Sequence, residues 1–147
     1  MRLSHAIVLV TAALAAPLLT APRAAIAEHP KVVQPQLPAL SKTPAVADLQ
    51  RFLHSLRARD HVSSGVHRAL VAKRRRLTSA ANHALQARDR ARTIFLKSYL
   101  AKKRPRHRSR IARTSRRYYS YLRSLEGYRV RRVLAEISDE LDRLIYS

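Results

Sequence analysis

The chain has 147 residues, with 30 Lys and Arg against 9 Asp and Glu, and a formal net charge of +21. This length allows one small domain with a modest core. Because no Cys occurs, the composition excludes a disulfide framework and any thiolate metal site.

The first 27 residues have the build of a secretory signal peptide. A basic start, MRLSH, precedes the apolar run AIVLVTAALAAPLLTA, and small residues follow up to Ala27. This order of regions is typical of a cleaved export sequence. The apolar run is short for a membrane span and contains Pro17, so a membrane anchor is the less favoured alternative. Cleavage after Ala27 would leave 28 basic and 9 acidic residues, a net charge of +19.

The next two segments are predicted to be a linker and a helix. Residues 28–47 contain four Pro and no hydrophobic periodicity, which predicts a disordered linker. Near its end, Thr43 followed by Pro44 is a helix start pattern. In residues 48–60 four large apolar residues share one helical face: Leu49, Phe52, Leu53 and Leu56.

The rest of the chain, residues 61–147, is predicted to be a basic helical region. One helical pattern runs from about 66 to 103, and Pro105 ends or kinks it. A third segment weakens at Gly127, and the last segment, from Val130, keeps a steady apolar face. We find no strand pattern. The expected fold class is all-α: a disordered N-terminal linker followed by a small, loosely packed bundle of three to four helices.

The sequence favours a binding protein over an enzyme. Only Gly65 and Gly127 are available, too few for a Gly-rich phosphate loop. The acids of the last segment belong to a solvated helix face, and no carboxylate pair is placed near a His. His54, His61 and His67 lack the spacing and carboxylate partners of a metal site. We therefore expect no catalysis, no cofactor and no metal.

Basic clusters are the strongest local feature. Residues 73–76 read KRRR, residues 102–110 read KKRPRHRSR, and a shorter run, RTSRR, ends at Arg117. Such clusters bind the groove of a nuclear import receptor or the phosphates of nucleic acid; the alternative is a merely solvated cationic face. We expect Pro105 to keep its cluster extended and accessible. The nuclear-import candidates are Lys73, Arg74, Arg75, Arg76, Lys102, Lys103, Arg104, Arg106, Arg108 and Arg110.

Three tyrosines follow the second cluster and lie among further arginines. Tyr118, Tyr119 and Tyr121 could stack on nucleic-acid bases, but a core position is the favoured interpretation for Tyr118. Cationic helices also bind anionic lipid, although the middle helix lacks the large apolar face that insertion requires.

The export-type N-terminus, the linker and the tetrapeptide RFLH together resemble the secreted RxLR effectors of plant-pathogenic oomycetes. Arg51 and Leu53 match the first and third motif positions, Phe52 is a common occupant of the second, and His54 replaces the final Arg. No acidic dEER-like run follows. The tryptophan-tyrosine helical module of many members cannot be present in its usual form, because the chain has no Trp. The resemblance covers the first third of the chain.

The resemblance implies a protein secreted by a pathogen and delivered into plant cells, with residues 48–60 as the translocation segment and 61–147 as the effector region. There it would bind host proteins and modulate, by preference suppress, defence-related cell death. The basic clusters extend this expectation to the host nucleus, an import receptor and nucleic acid. No stable membrane insertion is expected after signal cleavage. The alternatives are a secreted cationic antimicrobial or membrane-active protein and a nucleic-acid-binding protein.

Overall fold

The computed structural model describes residues 32–147, which contain three α-helices and no strand. The all-α prediction and the small helical bundle are therefore confirmed. The predicted signal peptide, residues 1–27, lies outside the described residues. In chain order the helical elements are a short 3-10 turn (Leu40–Lys42), α1 (Pro44–Arg57), α2 (Ser64–Ala101) and α3 (Pro105–Tyr146).

Each helix begins at a start pattern in the sequence. Pro44 and Pro105 occupy the first positions of α1 and α3, where a missing N–H costs nothing because it would have no partner within the helix. Ser63 precedes α2, and its Oγ accepts a hydrogen bond from the Val66 N–H at 3.4 Å. The expectation that Pro105 keeps residues 102–110 extended is wrong, because this proline initiates a helix.

The last two sequence segments form one continuous helix of 42 residues. Gly127, at which the pattern weakened, lies inside α3 with no positive φ. A helix-interior Gly costs about 1 kcal/mol relative to Ala. Here Glu126 and Val130, on either side of Gly127, are buried, and their packing holds this part of α3 in the bundle. Tertiary packing therefore overrides the weak local propensity, and the bundle has three helices.

The main core lies where all three helices meet. Leu56, Ile137 and Leu144 have no solvent exposure at all, and α2 contributes the first half of its length to the same apolar cluster. We call this region the three-helix end: α1 together with residues 64–85 and 126–146. Fully burying one such side chain stabilises the fold by roughly 1.5–3 kcal/mol, so this end supplies most of the hydrophobic stabilisation.

Beyond α1 the molecule narrows to an antiparallel pair of helices. A helix rises about 1.5 Å per residue, so α1 extends roughly 21 Å while α2 extends roughly 57 Å. The part of the α2–α3 pair that α1 cannot reach has a smaller core around Leu96 and Tyr119. We call residues 93–122 the hairpin end.

An irregular segment, residues 32–39, runs beside the two long helices; we call it the strap. Val33 is buried, and its N–H donates to the Ser115 Oγ at 3.3 Å. Its carbonyl oxygen accepts a hydrogen bond from the Tyr119 hydroxyl. The strap thus closes one side of the smaller core.

Before α1, the described part of the predicted linker (residues 28–47) has an irregular backbone except for the 3-10 turn Leu40–Lys42. This segment nevertheless packs against the rest of the fold, since Val33 and Leu40 are both buried. Pro44 already belongs to α1. Proline composition predicts an irregular backbone, but it cannot show whether two isolated apolar side chains find a surface to pack against.

Candidate binding surface

The tetrapeptide RFLH lies in the middle of α1. Phe52 and Leu53 are 2% and 6% exposed and belong to the main core. Arg51 and His54 face solvent, and Arg51 forms an ion pair with Asp48. In this fold the apolar half of the tetrapeptide holds the helix in the bundle, and only Arg51 and His54 are accessible to another molecule.

The first basic cluster lies beside this tetrapeptide. The Lys73 Nζ is 5.1 Å from the centre of the Phe52 ring, a cation–π distance. Arg74 is half-buried, whereas Arg75 and Arg76 are exposed. The fold therefore brings together two features whose contacting residues are 21 positions apart in the sequence, and hydrophobic periodicity did not predict this contact. Only part of the KRRR cluster is open to a ligand.

The second basic cluster, residues 102–110, covers the connection between α2 and α3 and is exposed throughout. The Lys103 Nζ lies 4.8 Å from the Tyr99 ring centre. Arg108 donates from Nε to the Lys103 carbonyl at 2.7 Å and from Nη2 to the Ala101 carbonyl at 3.3 Å. Carbonyls at a helix C-terminus lack partners within the helix, so Arg108 stabilises the turn. The remaining cations of the cluster face solvent.

The hairpin end contains ten Lys and Arg and no Asp or Glu. Within residues 32–147, none of these ten side chains takes part in an ion pair. Like charges at this density repel one another and create a strong local positive potential. The ten residues are Lys97, Lys102, Lys103, Arg104, Arg106, Arg108, Arg110, Arg113, Arg116 and Arg117.

Four of these arginines occupy one exposed face of α3, which we call the arginine row. They are separated by four, three and four residues, the spacing of one helical face, and the row is roughly 16 Å long. Tyr121, which is 60% exposed, continues the same face one turn further. The arginine row consists of Arg106, Arg110, Arg113 and Arg117.

A groove of about 640 Å³ flanks the arginine row. Its lining combines the apolar side chains of Leu100 and Ala112 with Ser109. Because two members of the row also line the groove, row and groove form one continuous cationic surface. The arginines of the groove are Arg108, Arg113, Arg116 and Arg117.

A buried ionic cluster lies between the two ends of the molecule. Glu126 accepts hydrogen bonds from Arg92 Nη1 and Arg88 Nη2, both at 3.0 Å. Arg88 also donates to the carbonyl of Pro38 in the strap at 2.7 Å. Burial is the largest influence on the pKa of Glu126 and would raise it. The hydrogen bonds and charges of Arg92 and Arg88 outweigh burial and hold this pKa below its usual range.

Sequence reasoning did not single out this ionic cluster. Apolar periodicity ignores charged side chains, and Arg92 lies in a stretch with few large apolar residues. One indication was available: Glu126 is the first acid after Asp89 in a strongly basic region. An isolated acid among many cations is a candidate for a buried ion pair, because a charged group can be buried only when it is paired.

Within residues 32–147, no group of three or more His, Asp or Glu is arranged to hold a metal ion. No helix in the same part of the chain combines the length and the apolar composition that crossing a bilayer requires. Comparisons with family models, curated proteins and solved structures gave no match to this chain.

Proposed function

We propose that this chain is a secreted pathogen effector that enters plant cells and acts in the host nucleus without catalysis. It binds host components through its basic hairpin end and modulates, by preference suppresses, defence-related cell death. The export-type N-terminus and the RFLH tetrapeptide support secretion and delivery. The basic clusters support the nuclear destination.

One structural observation carries the binding part of this proposal. The hairpin end exposes ten cationic side chains without a single acid among residues 93–122. Arg108 and Lys103 make contacts at the turn, but the cluster supplies no ion pair to the fold within residues 32–147, and its members repel one another. Charge of this kind favours association with an acidic surface and accelerates that association. The hairpin end is therefore better explained by a polyanionic partner than by folding.

The nuclear destination is tested in leaf cells with residues 28–147 fused to a fluorescent tag that is too large for passive diffusion through nuclear pores. One variant replaces five cations with Gln but retains Arg108, since Arg108 stabilises the turn. We expect the unmodified fusion in the nucleus and the variant in the cytosol. The five replaced residues are Lys102, Lys103, Arg104, Arg106 and Arg110.

A matched control removes the same number of charges outside the hairpin end. Its five positions are exposed and lie outside the ion pairs of residues 32–147. We expect the control to remain nuclear. Equal distribution of the unmodified fusion and the 102–110 variant would refute the nuclear-import assignment. The control positions are Arg59, Arg68, Arg90, Arg129 and Arg131.

The effect on host cells is tested by co-expression with an inducer of defence-related cell death. The unmodified chain is expected to reduce cell death, and the 102–110 variant is expected to lose this effect. The control with five replacements elsewhere should retain it. If all three proteins suppressed cell death equally, the cell-death effect would not depend on the cations of the hairpin end.

The high net charge also favours a second candidate, a secreted membrane-active protein, because cationic helices bind anionic lipid. This candidate predicts that the purified mature chain releases dye from vesicles rich in anionic lipid. The structure offers little apolar surface for insertion: in the hairpin end the exposed large apolar or aromatic residues are Ile94 and Tyr121. We therefore expect no dye release.

A further inference from the structure

We propose that the arginine row and its flanking groove bind the phosphodiester backbone of nucleic acid, with Tyr121 stacking on an unpaired base. This inference deepens the proposed function and rests on it in one respect, since it takes the hairpin end as the binding surface. It adds a ligand class and a geometry. Nuclear import alone requires neither.

The spacing of the row suits a polymer of phosphates. Successive members are three or four residues apart, which places their Cα atoms roughly 4.5–6 Å apart along the α3 axis. Long arginine side chains can adjust over such distances to meet successive phosphates of one strand. Arg116, on the groove side, widens the contact. A single small anion would use only one or two of these side chains, so the length of the row favours an extended polyanion.

The chemistry of the side chains favours phosphate. The row contains four arginines and no lysine, and the planar guanidinium donates two parallel hydrogen bonds to a phosphate, which the point charge of lysine cannot do. Within residues 32–147 no carboxylate competes for Arg113, Arg116 or Arg117. The guanidinium groups can therefore bind a ligand without first breaking an internal ion pair.

Tyr121 distinguishes nucleic acid from a membrane surface. A tyrosine ring at the end of a row of phosphate-binding cations is placed where a base attached to that backbone would lie. Base stacking on an aromatic ring is sequence-tolerant and contributes to single-strand binding. A bilayer would instead require a contiguous apolar face, which one tyrosine does not provide. The arrangement therefore favours a single strand of RNA or DNA.

The test measures fluorescence anisotropy of labelled single-stranded RNA, single-stranded DNA and duplex DNA with residues 28–147, at several salt concentrations. The variant is Arg113→Gln with Arg117→Gln, two exposed positions whose side chains form no ion pair within residues 32–147. Each lost contact to a single strand removes about 0.7 from the slope of log K against log salt. We expect a slope shallower by about 1.4 and binding roughly 25-fold weaker at 0.1 M salt.

The matched control is Arg129→Gln with Arg131→Gln, two exposed positions whose replacement removes the same charge from the three-helix end. It should keep the unmodified affinity within about twofold and the same salt slope, since distant surface charges are largely screened at this ionic strength. Circular dichroism melting of every variant confirms that each protein is folded. Equal loss in the variant and the control would overturn the proposed site and leave only non-specific charge attraction.

Tyr121 is tested separately with Tyr121→Phe and Tyr121→Ala. Because the phenyl ring still stacks, the Phe variant should bind single strands as before and the Ala variant several-fold more weakly, with no change for duplex DNA. Tighter binding to duplex than to single strands, or to anionic vesicles than to either, would overturn the proposal. These assays need no living cell, so failure of nuclear import and failure of nucleic-acid binding are observed independently.

Discussion

The two ends of the molecule differ in what their side chains do. At the three-helix end, apolar residues are buried and four arginines form ion pairs with acids, as in the pair of Arg57 Nη2 with Glu136 Oε2 at 2.9 Å. At the hairpin end the core is small, and the ten cations form no ion pair within residues 32–147. One end therefore stabilises the fold, while the other accumulates charge that folding does not require.

This difference shows how a small cationic chain can remain folded. Mutual repulsion of the cations destabilises a compact state, and the ten cations of the hairpin end lie outside the main core. The ionic cluster around Glu126 lies at the boundary and joins α2, α3 and the strap through Arg88 and Arg92.

The largest effect is expected at the boundary, with Glu126→Gln. This change leaves Arg92, whose side chain is 4% exposed, with its charge uncompensated in the interior. Removal of one partner from a buried ion pair costs about 3–5 kcal/mol. Urea unfolding should show this loss. In contrast, Glu136→Gln removes two exposed ion pairs, with Arg57 and Arg132, and should cost only about 1 kcal/mol. Equal effects of the two substitutions would show that the cluster does not join the ends.

The same carboxylate predicts a pH dependence. The pKa of Glu126 is lowered in the folded protein, so its stabilising effect is fully present above the ordinary Glu value of about 4.3 and decreases as pH falls through the lower folded value. The difference in unfolding free energy between the unmodified protein and Glu126→Gln should therefore shrink below about pH 4. A difference that stays constant down to pH 2 would contradict the lowered pKa.

The next largest effect compares the two cores directly. Leu56→Ala, at a position with no exposure, should cost about 3–5 kcal/mol, and Leu96→Ala, in the smaller core, about 2–3 kcal/mol. The difference arises because the hairpin end can relax into the space left by the removed side chain, whereas three packed helices cannot. Thermal melting measures both values. A larger loss for Leu96→Ala would reverse the assignment of stability to the three-helix end.

A smaller effect is expected where the strap is attached. Burial raises the pKa of Tyr119, with the charge of Arg92 acting in the opposite direction, so its hydroxyl remains a donor to the Val33 carbonyl at neutral pH. Tyr119→Phe removes this hydrogen bond and should cost about 1 kcal/mol. Amide exchange of residues 32–39 should accelerate at the same time. An unchanged exchange rate would show that the hydrogen bond does not hold the strap.

The smallest effect is expected to be stabilising. Gly127→Ala places a methyl group inside α3, 3.3 Å from the Arg131 Nη1, the end of a flexible side chain that can move away. The gain in helix propensity is about 0.5–1 kcal/mol, measurable as a higher melting temperature. A lower melting temperature would indicate that Arg131 is held more firmly than its exposure suggests.

The sequence was sufficient to predict the helices but not how the helices pack together. Helix starts at Pro44 and Pro105 follow from local rules, and the apolar face of α1 correctly predicted its buried residues. Local rules failed where tertiary contacts decide: α3 continues through Gly127, and the strap packs through Val33. The arginine row follows from spacing once α3 is known to begin at Pro105. Its isolation from acids depends on which helices lie nearby.

The most direct test of the division between the two ends is an amide hydrogen-exchange footprint of the chain with a single-stranded oligonucleotide. Slower exchange on binding is expected in residues 93–122, while α1 and residues 126–146 keep the exchange rates of the unbound protein. Protection centred on α1 and the C-terminal half of α3, with none at the hairpin end, would contradict the account.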